Sequence, residues 1–129
     1  MDLTILIPTR IETEDRLRNI ISSVSYLLKN VPAKVMVKEV SDQNTFKFRA
    51  LPEIKKYADT VHLTHLYEES NDPLFCKSKV LNDMIVAADT NVVANYDADC
   101  ILPVQAYRQA YNAIQEDYVD VVYPYQCGI

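Results

Sequence analysis

Two kinds of apolar spacing alternate along the chain. Leu3-Thr4-Ile5-Leu6-Ile7 is nearly continuous and stops at Pro8, as in a strand buried on both faces. Leu17, Ile20, Ile21, Val24, Leu27 and Leu28 recur every three or four residues and predict one face of a helix. Thr13 suits its start, Glu14 and Asp15 its positive end, and Asn30 before Pro32 its stop. Lys34–Val40 alternates as a strand, Ser41–Lys47 is polar and loop-like, and Leu51–Tyr57 predicts a short helix. Val61–Leu66 alternates again, and Glu68–Pro73 is an acidic, turn-rich loop. Val80, Leu81, Met84, Ile85 and Ala88 mark a helix over Lys77–Ala88. A strand over Asn91–Tyr96, a helix over Pro103–Glu116 and a last strand over Val119–Tyr123 complete the order.

Strict strand–helix alternation predicts an α/β fold, a mainly parallel sheet flanked by helices on both faces in the Rossmann-like manner. Such sheets bind ligands at the carboxyl ends of their strands, near the reversal in strand order. The exits to search are Pro8-Thr9-Arg10, Glu39-Val40-Ser41-Asp42 and Asp97-Ala98-Asp99.

At 129 residues the chain has the size of one domain, spanning 1–129. Its net charge of −5 disfavours a nucleic-acid partner. The single glycine, Gly128, excludes Gly-rich phosphate loops. Any phosphate must be held by metal, side chains or ordinary backbone. Cys76, Cys100 and Cys127 form no C-x-x-C pair, which fits a reducing compartment. With no apolar run near the roughly 20 residues of a membrane span and no leader pattern, a cytoplasmic, soluble chain is expected.

Asp97 and Asp99 follow an apolar strand and precede Ile101-Leu102-Pro103. Two carboxylates there suit a hard cation, Mn²⁺ or Mg²⁺, that neutralises a leaving diphosphate. With eleven aspartates, about one Asp-x-Asp arises by chance, so position carries the signal rather than the tripeptide. Phe75, Lys77 and Lys79 open a helix whose positive end attracts anions; taken alone, two solvated lysines and a core phenylalanine explain them better.

In order, Ile5-Leu6-Ile7-Pro8-Thr9-Arg10, Phe75-x-Lys77-x-Lys79-x-Leu81-Asn82 and Asp97-x-Asp99-x-Ile101-x-Pro103 resemble nucleotide-sugar-dependent glycosyltransferases of the GT-A fold. The likeness is to the β-1,4-galactosyltransferase and chondroitin-polymerase-like group. It implies a hexosyltransferase of polysaccharide biosynthesis that inverts a UDP-sugar onto a glycan or other hydroxyl acceptor. Pro8, Thr9 and Arg10 would line the nucleotide pocket, with Arg10 near the diphosphate. Glu39 would lie near uracil or ribose, Phe75 would pack on uracil, and Lys77, where the group has Arg, would approach the phosphates. Asp97 would contact ribose or sugar, Asp97 and Asp99 would hold the metal, and Asn82 would be a structural helix residue.

The group's Trp-Gly-rich acidic segment after Asp-x-Asp has no counterpart: there is no tryptophan, and only thirty residues follow Asp99. The donor half is therefore expected without the acceptor half or a nameable catalytic base. The chain would be a fragment, be completed by a partner, or bind nucleotide only. The alternative is a non-catalytic α/β nucleotide-binding or protein-interaction domain. A receiver-like domain needs an acidic pair after the first strand, and a nucleotidyltransferase a Gly-rich loop; neither is present. Nine tyrosines, among them Tyr118, Tyr123 and Tyr125, suit a half-wet interface, so a homo-oligomer is expected.

Overall fold

The computed structural model describes residues 1–97, 101–116 and 120–122. Four strands, β1 (Leu3–Thr9), β2 (Lys34–Ser41), β3 (Leu63–Glu69) and β4 (Val92–Asn95), form one parallel sheet in the order β3-β2-β1-β4. Helices α1 (Glu14–Asn30), α2 (Leu51–Tyr57), α3 (Lys77–Ala87) and α4 (Val104–Gln115) connect or follow them, with a π-helical turn at Phe46–Ala50 leading into α2. This is the expected α/β architecture. Of the fifth strand expected over Val119–Tyr123, Asp120–Val122 are among the described residues and carry no strand, and the two end positions lie outside them.

Strand pleating divides the core. Ile5, Ile7, Val35 and Val37 face α1, α2 and α4, packing with Ile20, Val24, Leu27, Ile54 and Tyr107. Leu6, Met36 and Val40 face the opposite side, covered by Val80 and Met84 of α3. Every residue of β1 is buried, as its unbroken apolar run requires. Tyr107 donates to the Tyr96 hydroxyl at 3.1 Å and Tyr26 to the Leu102 carbonyl at 2.8 Å.

Three local differences from expectation have physical causes. β1 continues through Pro8 to Thr9. The Leu6 carbonyl accepts the Tyr96 N–H at 3.0 Å, so even-numbered β1 residues aim their backbone groups at β4. Pro8 is the even position beyond the last β4 partner, so its missing donor leaves no ladder bond unmade. Second, the stretch read as loop closes into the π-helical turn because the buried Glu39 carboxylate accepts the Phe46 N–H at 2.8 Å. Third, β3 starts two residues late and absorbs Glu68 and Glu69, which belong to an edge strand with a wet outer face.

Candidate functional site

β2 and β3 lie on one side of β1 and β4 on the other, so strand order reverses between β1 and β4. The carboxyl ends of these two strands flank the crevice where such folds take ligands. A cavity of about 250 Å³ opens at the carboxyl end of β1, lined by Pro8, Thr9 and Arg10 from the β1 exit, Arg16 and Asn19 from α1, and Phe75 and Lys77 at the start of α3.

Arg10 is the organising side chain. Its Nε donates to the Val40 carbonyl at 2.7 Å and its Nη1 to the Asp72 carbonyl at 2.6 Å. Its guanidinium lies 5.5 Å from the Phe75 ring centroid, a cation–π arrangement. It thereby ties β1, the end of β2 and the loop that carries Phe75 together. Nη2 is buried without a hydrogen-bond partner, and among the described residues no carboxylate forms an ion pair with Arg10.

Arg16 reaches the cavity because Thr13 caps α1, accepting the Arg16 N–H at 3.1 Å, which sets the first turn beside the β1 exit. Its Nη1 lies 3.3 Å from the Arg10 carbonyl and 3.4 Å from Glu12 Oε1. Lys77 Nζ pairs with Asp97 Oδ1 at the exit of β4. Both ion pairs are exposed, and exposed pairs are worth about 0–1 kcal/mol. A ligand phosphate can therefore compete for Arg16 and Lys77.

The fold thus brings Pro8, Thr9, Arg10, Phe75 and Lys77 to one cavity, with Asp97 attached through Lys77. It does not bring Glu39 there. Glu39 is fully buried, its Oε1 taken by the Phe46 N–H and its Oε2 by the Ser41 hydroxyl at 3.1 Å. Asn82 is exposed on α3 and does not line the cavity. Asp99, Cys100, Tyr118, Tyr123 and Tyr125 lie outside the described residues. Asp97 offers a metal hard oxygen donors, one already facing Lys77, and the described residues contain no group of three metal-ligating side chains. Arg16 and Asn19 were not legible as site residues; only their one-turn spacing just past a helix cap marks them.

A larger cavity of about 640 Å³ lies between α1 and α2, lined by residues including Ile21, Tyr26 and Tyr57. Its surface is mostly apolar, although Arg18, Lys29 and Glu53 also line it, and no strand residue does. The smaller cavity, with its converging polar groups, has the makeup of a binding site.

No family model matches the chain, and no curated protein matches it in sequence. Solved structures do match in fold. S. aureus TarS 1–349 superposes with a TM-score of 0.63 at 20% identity, over 92% of this chain and 33% of that one. A Desulfovibrio desulfuricans G20 protein, provisionally named a nucleotide-diphospho-sugar transferase, superposes with a TM-score of 0.51 at 17% identity, over 88% of this chain and 55% of that one. The chain shares their fold and spans about a third and about half of their lengths. No helix among the described residues is long and apolar enough to cross a membrane.

Proposed function

We propose that the chain binds the nucleotide-diphosphate part of a sugar donor, UDP-sugar by preference, and serves glycosyl transfer to a hydroxyl acceptor. The observation that carries this reading is the convergence of Arg10, Arg16, Lys77 and the Phe75 ring in one cavity at the carboxyl end of β1. Cations suit a diphosphate and an aromatic face suits a planar base. The fold shared with a protein named for nucleotide-diphospho-sugar transfer supports it.

In the transfer, the acceptor oxygen forms a bond to the anomeric carbon as the bond to the diphosphate oxygen breaks. The electron pair leaves with the nucleoside diphosphate, and the hydroxyl proton passes to a general base. Among the described residues, none that lines the cavity is a carboxylate or imidazole, so acceptor activation is not assigned to them. Arg10 and Lys77 would bind and orient the diphosphate. Asp97 and Asp99 would hold Mn²⁺ or Mg²⁺, which when bound neutralises charge on the departing diphosphate. Glu39 supports the pocket indirectly, by fixing the β2 exit.

Thermal unfolding with UDP, GDP and ADP, each in Mn²⁺ and in EDTA, tests the reading. A nucleotide at 100 times its Kd should add about 2.7 kcal/mol, a plain rise in Tm. Stabilisation by UDP above the purine nucleotides is expected, with UDP-sugar hydrolysis or transfer as the next assay. No shift with any nucleotide would leave the fold and remove the donor-site reading.

A further inference from the structure

Resting on the donor-site reading, we infer that the cavity grips the diphosphate with side-chain cations and needs no metal for that grip, and that Arg16 is the residue that distinguishes two phosphates from one. Three cations line it. Arg10 is held by two backbone carbonyls, has no acidic partner among the described residues and keeps a buried Nη2 without a hydrogen-bond partner. Its position is set before any anion arrives, and its charge is left without an acidic counterpart among the described residues. Arg16 and Lys77 enter from two different helices, so the three charges come from three separate elements rather than one loop. Their acidic neighbours, Glu12 and Asp97, sit in exposed pairs that a doubly charged phosphate group outcompetes. At about 250 Å³ the cavity is smaller than the roughly 300–1,000 Å³ of a site enclosing a whole drug-sized ligand. It matches the anionic middle of a nucleotide sugar. Asp97, already engaged by Lys77, is free to serve a cation during transfer once the diphosphate draws that lysine away.

Isothermal titration of the full chain with UDP and UMP, each in EDTA and in Mn²⁺, tests the inference in wild type, Arg16→Ala and Arg16→Lys. Arg16 is largely exposed, so both variants should melt as wild type does. UDP should bind in EDTA at least about tenfold tighter than UMP, with Kd rising steeply with salt, since screening weakens such contacts. Arg16→Ala should weaken UDP about tenfold and UMP less than threefold; Arg16→Lys should recover part of the loss. UDP binding that requires Mn²⁺ would overturn the inference and leave the donor-site reading standing. Equal losses for UDP and UMP in Arg16→Ala would remove the role given to Arg16. Failure of both nucleotides to bind under either condition would overturn the inference together with the reading it rests on.

Discussion

Arg10 and Glu39 leave neighbouring strands side by side, Glu39 in register with Thr9, yet the two charges are handled in opposite ways. Arg10 is half-buried, faces a cavity, and has no counter-charge among the described residues. Glu39 is fully buried, with each of its carboxylate oxygens accepting a hydrogen bond from the chain. Burying a charge is tolerated when hydrogen bonds replace water. An unpaired charge beside a cavity is left for a ligand. Two strand exits that look alike in sequence therefore divide into one that organises the fold and one open to solution.

The sharpest way to break that contrast is Glu39→Ala. It strands the Phe46 N–H, removes one acceptor of the Ser41 hydroxyl and leaves a void beneath the π-helical turn. Unsatisfied buried donors cost about 1–3 kcal/mol each, though Ser41 retains the Gln43 carbonyl at 2.7 Å as an acceptor. A loss of about 3 kcal/mol in urea unfolding is expected, with Glu39→Gln losing less because its amide oxygen can still accept the Phe46 N–H. An unchanged midpoint for Glu39→Ala would show that the carboxylate is dispensable to the fold, and the contrast with Arg10 would collapse.

Arg10→Ala should reverse the pattern. Its two carbonyl partners can turn to water, so stability should fall by about 1 kcal/mol. UDP affinity should fall at least about tenfold in titration, equivalent to about 1.4 kcal/mol. Arg10→Lys keeps the charge but loses the fork that grips Val40, Asp72 and the Phe75 face together, so it should restore little. Equal affinity in wild type and Arg10→Ala would mean that the hook binds nothing.

The fold was legible because β1 and α1 state their periods plainly: Leu3–Ile7 is apolar apart from Thr4, without the polar face an amphipathic helix shows, and Leu17 to Leu28 keep one face. The π-helical turn was not legible. It depends on a carboxylate seven residues upstream reaching the Phe46 N–H, a contact no local pattern encodes. Of the expected site residues, Pro8, Thr9, Arg10, Phe75 and Lys77 share one cavity, because a strand exit and a helix start are neighbours in this fold. Arg16 and Asn19 looked like any solvated helix face, because which way that face points is set by the crossing of α1 over the sheet. The burial of Glu39 was hidden for the reason that a charge and its exposure are separate facts.

The smallest effect probes the same corner through pH. His65 on β3 packs its ring 5.8 Å from that of Phe46, the residue whose N–H Glu39 holds. Burial, reinforced by Lys47 and Lys55, holds its pKa below the ordinary histidine value near 6.5. A group whose folded pKa is depressed takes up more protons when the chain unfolds. Its contribution is therefore complete above about pH 6.5 and is lost as pH falls through the lower, folded value. The partial burial of the ring keeps that contribution small. Urea midpoints should accordingly decline a little between pH 7 and pH 5, and the decline should be shallower in His65→Gln, which cannot titrate. Identical pH slopes for wild type and His65→Gln would separate the histidine from the Glu39–Phe46 corner and confine that corner's stability to the carboxylate's own hydrogen bonds.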